Sequence, residues 1–387
     1  MKKVIVGLSG GVDSSVAAML LKEQGYEVIG IFLRNWSYPN EKCYWIEDSI
    51  DAMQVCKQLN ISFHIMDMSI EYKKLVVDSL FKEFSCGRTP NPDVLCNRDI
   101  KFNIFLKQAL SLNADFIATG HYAIVKKNHT IYKLLEGVDK RKDQSYFLCQ
   151  LNQKQLSKSI FPIGIYNKKQ VRKKAEEAGL ITSKKKDSQG LCFVGKIRLS
   201  DFLQTKLKCK LGYIIEISID DPIFQSPILP YKNKEEGFIS IFTNRRKYKF
   251  GKIIGQHYGA HFFTKGQRKG LRIGGNSEGL FVLDTDIESN IVYVGLGVKH
   301  PGLYKYSLFI KEEDIHWIRE DLAFLQGKEI HVKCRIRYRQ DLQHAKLQRV
   351  KKGLYIVFEK PQKAITKGQF AAWYIKKELI GSGLISC

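Results

Sequence analysis

The sequence predicts an α/β protein in three parts: a Rossmann-like parallel-sheet domain over residues 1–201, a small β-rich domain over 202–299, and a C-terminal β-barrel over 300–387. Three observations carry that prediction. Between Lys2 and Asp201, short β-branched runs alternate with helical stretches, the pattern of a parallel sheet covered on both faces. Past Gly212 the texture changes to strand-length runs broken by glycines, and from Pro301 strands recur at spacings that suit a closed barrel. At 387 residues the chain is also too long for one ordinary core, since domains run to roughly 150 residues.

The elements follow in order. KKVIVGL is the first strand, and a helix is expected after Asp13. EVIGIFL and SFHIMD repeat the strand signal on either side of the helical EDSIDAMQVCKQL, and DFIATGH follows two more helices. Gly25 and Asn60 stand where helix ends favour residues tolerant of positive φ. GYIIEISI, GKIIGQHYGAHFF and GLFVLDTD supply strands to the second part, and Asp220 to Lys252 reads as an insertion without a motif. In the third part the strands are SLFIKEEDIHWI, KEIHVKCRIRYRQ, KGLYIVFEK and TKGQFAAWYI. Within HVKCRIRYR a period of two puts Lys333, Arg335, Arg337 and Arg339 on one cationic face, opposite Val332, Cys334, Ile336 and Tyr338.

Composition excludes several classes. Hydrophobic residues make up 44% and charged residues 26%, and no run approaches the roughly 18 apolar residues of a membrane span. A soluble, cytoplasmic protein without a membrane role is expected. MKKVIVGL leads into a glycine loop, not a cleavage site, so no targeting segment is read there. Sixty-three Lys and Arg against 39 Asp and Glu give a charge of +24. A polyanion, above all a nucleic acid, is the leading partner, with a lysine-rich codon bias as the competing explanation. Nine cysteines, an odd number without a C-x-x-C pair, argue against a disulfide framework, a zinc site or an iron–sulfur cluster.

The glycine-rich stretch GLSGGVDSS, Gly7 to Ser15, joins the first strand to the first helix. Such a loop gathers unpaired backbone N–H groups at the positive end of a helix dipole, where phosphates bind. It matches neither G-x-x-x-x-G-K-[ST] nor G-x-G-x-x-G. Ser9 to Ser14, SGGVDS, is similar instead to the pyrophosphate loop of enzymes that adenylate a substrate oxygen, which makes ATP the expected ligand. In that reading Ser9, Gly10, Gly11 and Ser14 hold phosphates, and Asp13 positions a metal or the first helical N–H groups. The alternative is a plain turn capped by Asp13 or Ser14. GMP synthetases, argininosuccinate synthetases and tRNA lysidine synthetases share the loop, so it indicates activation but not the substrate.

Two cysteines add chemistry. Cys96, in GRTPNPDVLCNRDIKF, precedes a helical run expected from about Arg98, where a helix N-terminus and a guanidinium should lower a thiol pKa. Cys192, in SKKKDSQGLCFVG, follows three lysines. Two activated thiols suit sulfur transfer through a persulfide, although either one alone reads equally well as a buried structural cysteine. Cys43, Cys56, Cys86, Cys149, Cys209 and the terminal Cys387 have no companion spacing.

Together GLSGGVDSS, GIFLRNW, CGRTPNPDVLCNRDIKF, ATGHYA, KDQSYFL, DSQGLCFVG, GQRKGL and RYRQ resemble the bacterial tRNA-specific 2-thiouridylase family along nearly the whole chain. The resemblance implies a PP-loop domain of the adenine-nucleotide α-hydrolase type at the N-terminus. It implies ATP-dependent adenylation of the C2 oxygen of the wobble uridine, position 34 of tRNA, followed by sulfur transfer from a cysteine persulfide, giving 2-thiouridine, AMP and pyrophosphate. ATP would be co-substrate, with magnesium accompanying the pyrophosphate. The partners would be tRNA and a persulfide donor, either a cysteine desulfurase or a relay protein. By the same resemblance, Gly7, Leu8, Ser9, Gly10, Gly11, Val12, Asp13, Ser14, Leu33 and Gly120 match the ATP pocket. Asn91, Pro92 and Asp93 match the segment around the target base, with Asp93 as acid or base. Cys96 and Cys192 match the nucleophile and the persulfide carrier, able to close an alternative disulfide. His121, Lys142, Asp143, Gln144, Arg337, Tyr338 and Gln369 match tRNA contacts, and His121 reads equally as a satisfied strand-end histidine. A lysidine synthetase would have no use for the two cysteines, and a decayed RNA-binding protein would not need an intact SGGVDS.

Overall fold

The computed structural model describes residues 1–36, 44–187, 199–225, 231–232, 239–240, 248, 251–275 and 277–386. Most of the Asp220–Lys252 stretch therefore lies outside the described residues. No described helix is long and apolar enough to cross a membrane.

The first domain is built on β1 (Lys3–Leu8), α1 (Val12–Glu23), β2 (Glu27–Arg34), α2 (Tyr44–Gln58), β3 (Ser62–Asp67), β4 (Phe116–Ala118) and β7 (Ser159–Ile160). All five strands run parallel in the order β3-β2-β1-β4-β7. The continuous β-branched run makes Val4, Ile5 and Val6 fully buried, as a central strand covered on both faces requires. The chain winds outward from β1 to β3 and then returns to place β4 on the other side of β1. The order reverses at β1, so the crevice beyond its carboxyl end is the natural ligand site. Gly25 and Asn60 take positive φ, 80° and 48°, at the ends of α1 and α2. Between β3 and β4 the chain is helical, with wide π-type stretches at Lys73–Val77 and Cys96–Phe105.

The hairpin β5 (Ala123–Asn128) and β6 (Ile131–Glu136) leaves this sheet and joins another. The middle domain has β8 (Gly212–Glu216), β9 (Tyr231–Lys232), β10 (Ile239–Ser240), β11 (Lys252–His257), β12 (Leu280–Asp286) and β13 (Ile291–Leu296). Its main sheet has the order β11-β8-β13-β12. The last domain contains β14 (Tyr304–Trp317), β15 (Glu329–Arg335), β16 (Gln343–Val350), β17 (Gly353–Lys363), β18 (Phe370–Ile375) and β19 (Glu378–Ile385). These run β14-β17-β16-β15-β18-β19 and close through β14–β19 pairing, Ile310 with Ile385 and Trp317 with Gly381, into the expected barrel.

The hairpin locks the barrel to the first domain. β6 pairs with β19, Leu135 opposite Glu378 and Leu134 opposite Leu379. One apolar core continues across the junction, combining Phe102, Phe105 and Tyr146 with Phe370, Ala372, Tyr374 and Leu379. Inside the junction Arg335 donates to Glu136 at 2.7 Å and Asp143 at 3.0 Å, with all three side chains buried. Its guanidinium also lies 4.9 Å from the centre of the Tyr374 ring.

This corrects the expected cationic face. Lys333 is exposed, but β15 ends at Arg335, and that side chain turns inward to the two carboxylates of the first domain. Arg337 and Arg339 are exposed in the turn beyond, with Arg339 at φ 63°. Replacing Arg335 by Met should leave the buried Asp143 without a counter-charge and Glu136 with only the exposed Lys140, 2.7 Å away, a defect that costs roughly 3–5 kcal/mol. Thermal unfolding of the full chain should show the loss, and adding Glu136→Gln with Asp143→Asn should restore most of it.

Candidate functional site

The glycine-rich loop Ser9–Gly11 lies at the carboxyl end of β1, in the crevice that the strand order creates. Gly10 takes φ +69°, and a Cβ there would stand 2.2 Å from the carbonyl oxygen of Asp48. Gly120, beyond β4, packs so close that a Cβ would fall 2.7 Å from the Ser14 nitrogen. Ser14 Oγ accepts from the Ser9 N–H at 3.1 Å and donates to the Gly11 carbonyl at 3.1 Å, while Ser15 Oγ donates to the same carbonyl at 2.9 Å. Gly11 precedes α1 and brings no side-chain cap. The first-turn N–H groups therefore face the crevice without a side-chain acceptor at the cap, unlike a plain capped turn. Leu33, at the end of β2, packs partly buried on the main core.

Asp13 is already engaged. Its carboxylate accepts from Lys168 Nζ at 2.8 Å on both oxygens and from the Tyr122 hydroxyl at 2.7 Å. Burial and the neighbouring Asp13 charge together hold the Tyr122 hydroxyl protonated. Lys168 also reaches Asp187 at 2.7 Å, and Asp187 in turn pairs with Lys142 at 2.6 Å and Arg172 at 2.9 Å. A magnesium ion does not fit Asp13 in this arrangement, because both oxygens are taken by an ammonium group. No cluster of three or more His, Cys, Asp or Glu among the described residues offers another cation site.

Cys96 departs from expectation. The helix starts earlier, at Pro92, with Asn91 as its cap accepting the Val94 N–H at 3.2 Å, so Cys96 lies a turn inside. The residue is 2% exposed. Burial raises the thiol pKa, and the Lys101 charge and a hydrogen bond with Tyr72 oppose it without overcoming it. Arg98, expected to lower that pKa, is turned to Asp99 with bonds of 2.8 and 2.9 Å.

The Thr89–Asn91 segment is held from three sides. Gln369 of the barrel donates to the carbonyls of Thr89 at 2.9 Å and Pro90 at 3.1 Å and accepts from Asn91 Nδ2 at 3.3 Å. Thr89 N–H donates to the Lys367 carbonyl at 2.9 Å, and its hydroxyl meets that of Thr264 in the middle domain at 3.0 Å. All three domains thus meet at Thr89–Asn91, and Pro92 and Asp93 follow as the first residues of the helix.

The expected tRNA contacts separate. Arg337 is exposed, with Nη1 3.4 Å from the Lys363 carbonyl. Gln369 is spent on the 89–91 loop, and Tyr338 packs on Phe147 with ring centres 4.3 Å apart. Lys142 pairs with Asp187, Asp143 is 2% exposed and bound to Arg335, and Gln144 accepts the Tyr122 N–H at 3.0 Å. His121 is buried, 2.7 Å from the Thr119 hydroxyl through Nδ1, between the rings of Phe102 and Phe161, and burial keeps it neutral. Lys142, Asp143 and Gln144 turn inward because their turn bonds on one side to Asp187 and Tyr122 and on the other to Arg335 of the barrel.

Cys192 lies outside the described residues, as do Cys43 and Cys387. Cys56 and Cys149 are buried, with burial pushing each thiol up to about 12, and Cys334 is likewise buried and raised. Cys86 and Cys209 are exposed. The sequence reading missed Lys168 and Arg172, which begin a helix with no motif of their own, and left Asp187 unassigned within KKKDSQGLC. A capping box, Asn167 with Gln170, was the one local signal for that helix.

These features define a class: an α/β protein of nucleotide-binding type with a glycine-rich loop at its switch point, coupled to β-domains that meet just before a thiol-bearing helix. A family model described as "tRNA methyl transferase HUP domain" matches residues 2–196; "tRNA methyl transferase PRC-barrel domain" matches 230–296 and "Aminomethyltransferase beta-barrel domain" matches 308–385. The chain is 54% identical over 396 residues to the tRNA-specific 2-thiouridylase MnmA of Christiangramia forsetii, covering 100% of both chains. It is 53% identical to that of Flavobacterium johnsoniae, again covering 100% of both, and 40% identical to that of Bacillus subtilis over 99% of this chain and 94% of the relative. The chain belongs to the tRNA-specific 2-thiouridylase family.

At pH 7.5 without tRNA, iodoacetamide should modify Cys86 and Cys209 readily and Cys96 at least about tenfold more slowly, because burial both shields Cys96 and keeps it protonated. Peptide mass spectrometry over time reads the rates directly. Comparable rates at Cys96 and Cys86 would contradict the buried, neutral thiol.

Proposed function

We propose that the chain is an ATP-dependent tRNA-uridine 2-sulfurtransferase acting on the wobble uridine. The observation that carries this reading is full-length membership of the family together with an intact SGGVDS loop at the β1 switch point. A uracil carbonyl oxygen is a poor leaving group, and adenylation makes it a good one. ATP supplies the adenylyl group and pyrophosphate leaves, its charge met by the N–H groups of Ser9 to Ser14 at the start of α1. The target base leaves the anticodon-loop stack to reach Asn91, Pro92 and Asp93, where Asp93 serves as acid or base.

Sulfur arrives as a persulfide on Cys192, taken from a cysteine desulfurase or a relay protein. Its terminal sulfur attacks C2 and AMP departs. The Cys96 thiolate then attacks the Cys192 sulfur. The persulfide S–S bond breaks, its outer sulfur stays on C2, and a Cys96–Cys192 disulfide forms, to be reduced before the next turnover. Cys96 is buried and protonated in the molecule without tRNA, so this step requires the helix start to open when the anticodon loop docks. Of the tRNA-contact residues implied by the family, Arg337 is the exposed guanidinium suited to a phosphate.

With Cys192→Ser, ATP should still be consumed and pyrophosphate released on addition of tRNA, while nucleoside mass spectrometry finds no 2-thiouridine. Cys96→Ser should load sulfur but fail to complete turnover. Normal thiolation by either variant would refute the assignment. Separately, Arg337→Ala should weaken tRNA binding and reduce the slope of log affinity against log salt by about one phosphate contact. A slope equal to wild type would place Arg337 on a solvated face.

A further inference from the structure

The Asp187 cluster is more than a surface ion pair. Lys142, Lys168 and Arg172 converge on one carboxylate, and the Lys168 ammonium bridges that carboxylate to Asp13 at the start of α1. Three cations face Asp187 and Asp13 here, and Asp139 stands beside them, accepting the Lys168 backbone N–H at 3.0 Å, so the charges balance with Asp187 in place and a cation is left over once it leaves. The cations come from different stretches of the chain, Lys142 from the turn after β6 and Lys168 and Arg172 from one helix. Sequence proximity therefore does not explain the convergence.

The chain just before Asp187 is tied down on both sides. Arg172 Nη1 donates to the Ser183 carbonyl at 2.8 Å, and Nη2 donates to the Lys185 carbonyl at 3.0 Å and to Asp187 at 2.9 Å. Lys185 Nζ pairs with Asp48 at 2.7 Å and also with Asp51, on α2. Asp48 is the residue whose carbonyl closes over Gly10. Residues 183–187 thus run as a strap from the Lys168–Glu177 helix to α2, beside the phosphate loop.

A carboxylate held by two ammonium groups and a guanidinium, next to an uncapped helix start, has the surroundings of a bound phosphate oxygen. We propose that Lys142, Lys168 and Arg172 form a second, basic half of the phosphate site, and that Asp187 is an internal competitor which the β- and γ-phosphates of ATP, or free pyrophosphate, displace. This rests on the reading of Ser9–Ser14 as the phosphate cradle. The exchange is favourable in charge, because a polyphosphate brings several negative charges where Asp187 brings one. Lys168 keeps its bonds to both oxygens of Asp13 and would bridge the incoming phosphate, in place of Asp187, to the start of α1. The competition lowers apparent affinity by the fraction of molecules in which Asp187 is docked.

Removing the competitor's charge should therefore tighten binding. Titration calorimetry of inorganic pyrophosphate and of ATP into the full chain should show Asp187→Asn binding on the order of tenfold more tightly than wild type, and Asp187→Glu close to wild type. Lys168→Met should weaken both ligands and abolish the gain when combined with Asp187→Asn. Equal or weaker binding by Asp187→Asn would overturn the competition and leave Asp187 as a residue that positions the cations. A wild type that binds neither ligand would instead overturn the phosphate-cradle reading itself. A measurement on the unmodified chain guards against a variant that fails to fold. Carbodiimide labelling of carboxylates, read by mass spectrometry, should show Asp187 becoming more reactive on pyrophosphate binding, and unchanged labelling with bound pyrophosphate would refute its displacement.

Discussion

The pairing of β6 with β19, sealed by Arg335 between Glu136 and Asp143, sets how the barrel docks on the first domain, and bonds such as Tyr146 to Phe370 and Gln150 to Ser382 follow its register. A buried ion triad of this kind contributes little net stability, because desolvation offsets most of the attraction. Its geometry is strict all the same. Asp143 also accepts the N–H groups of Gly137 at 3.0 Å and Ser145 at 3.1 Å, and Ser145 meets the Tyr374 hydroxyl at 3.1 Å. A barrel rotated or shifted by one strand position would bury those charges unpaired, so this one docking is selected over its neighbours.

Because the barrel is fixed, its turn at 366–369 can grip the segment before the Cys96 helix. Gln369 spends both ends of its amide on Thr89, Pro90 and Asn91, and Thr264 holds the same loop from the middle domain. The loop that precedes the thiol is thus bonded to both the barrel and the middle domain, so a shift of either would be felt there. The burial of Cys96 acquires a chemical sense in this arrangement. A neutral thiol in an apolar core is a poor nucleophile and a poor target for oxidants, and it gains both properties only when its surroundings open.

The parts legible in the sequence were those with local causes. The β-branched first strand, the glycine loop and the positive-φ residues Gly25 and Asn60 follow from periodicity and backbone sterics, and the structure has them where the pattern puts them. What stayed hidden depends on partners far along the chain. Arg335 looked like part of an alternating cationic face because the acids that draw it inward lie 192 and 199 positions earlier. The thiol pKa of Cys96 was read from Arg98 and a helix start, whereas burial by the surrounding helices decides it. Lys168 and Asp187 escaped for the same reason, since DSQGLCFVG drew attention to its cysteine and the capping box marks only a helix start, whereas the Lys168 bridge between Asp187 and Asp13 joins distant stretches of the chain.

The same inward pairing bears on how the molecule attracts RNA. With 39 acids against 63 basic residues, the field depends on which charges are left over. Several acids are used internally: Glu136 and Asp143 by Arg335, Asp187 by three cations, Asp48 and Asp51 by Lys185, and Glu378 by Arg319. Taken together these six acids face six cations, so the groups sum to neutral at a distance, and they are little screened by salt, being partly or wholly removed from water. The excess of +24 must therefore reside in exposed Lys and Arg such as Lys333, Arg337 and Arg339, which face solvent without a buried acid beside them. Salt would weaken attraction to these surface cations while leaving the domain-locking pairs intact. Ionic strength thus separates two jobs done by the same residue types: holding the domains in register, and drawing a polyanion to the surface they present together.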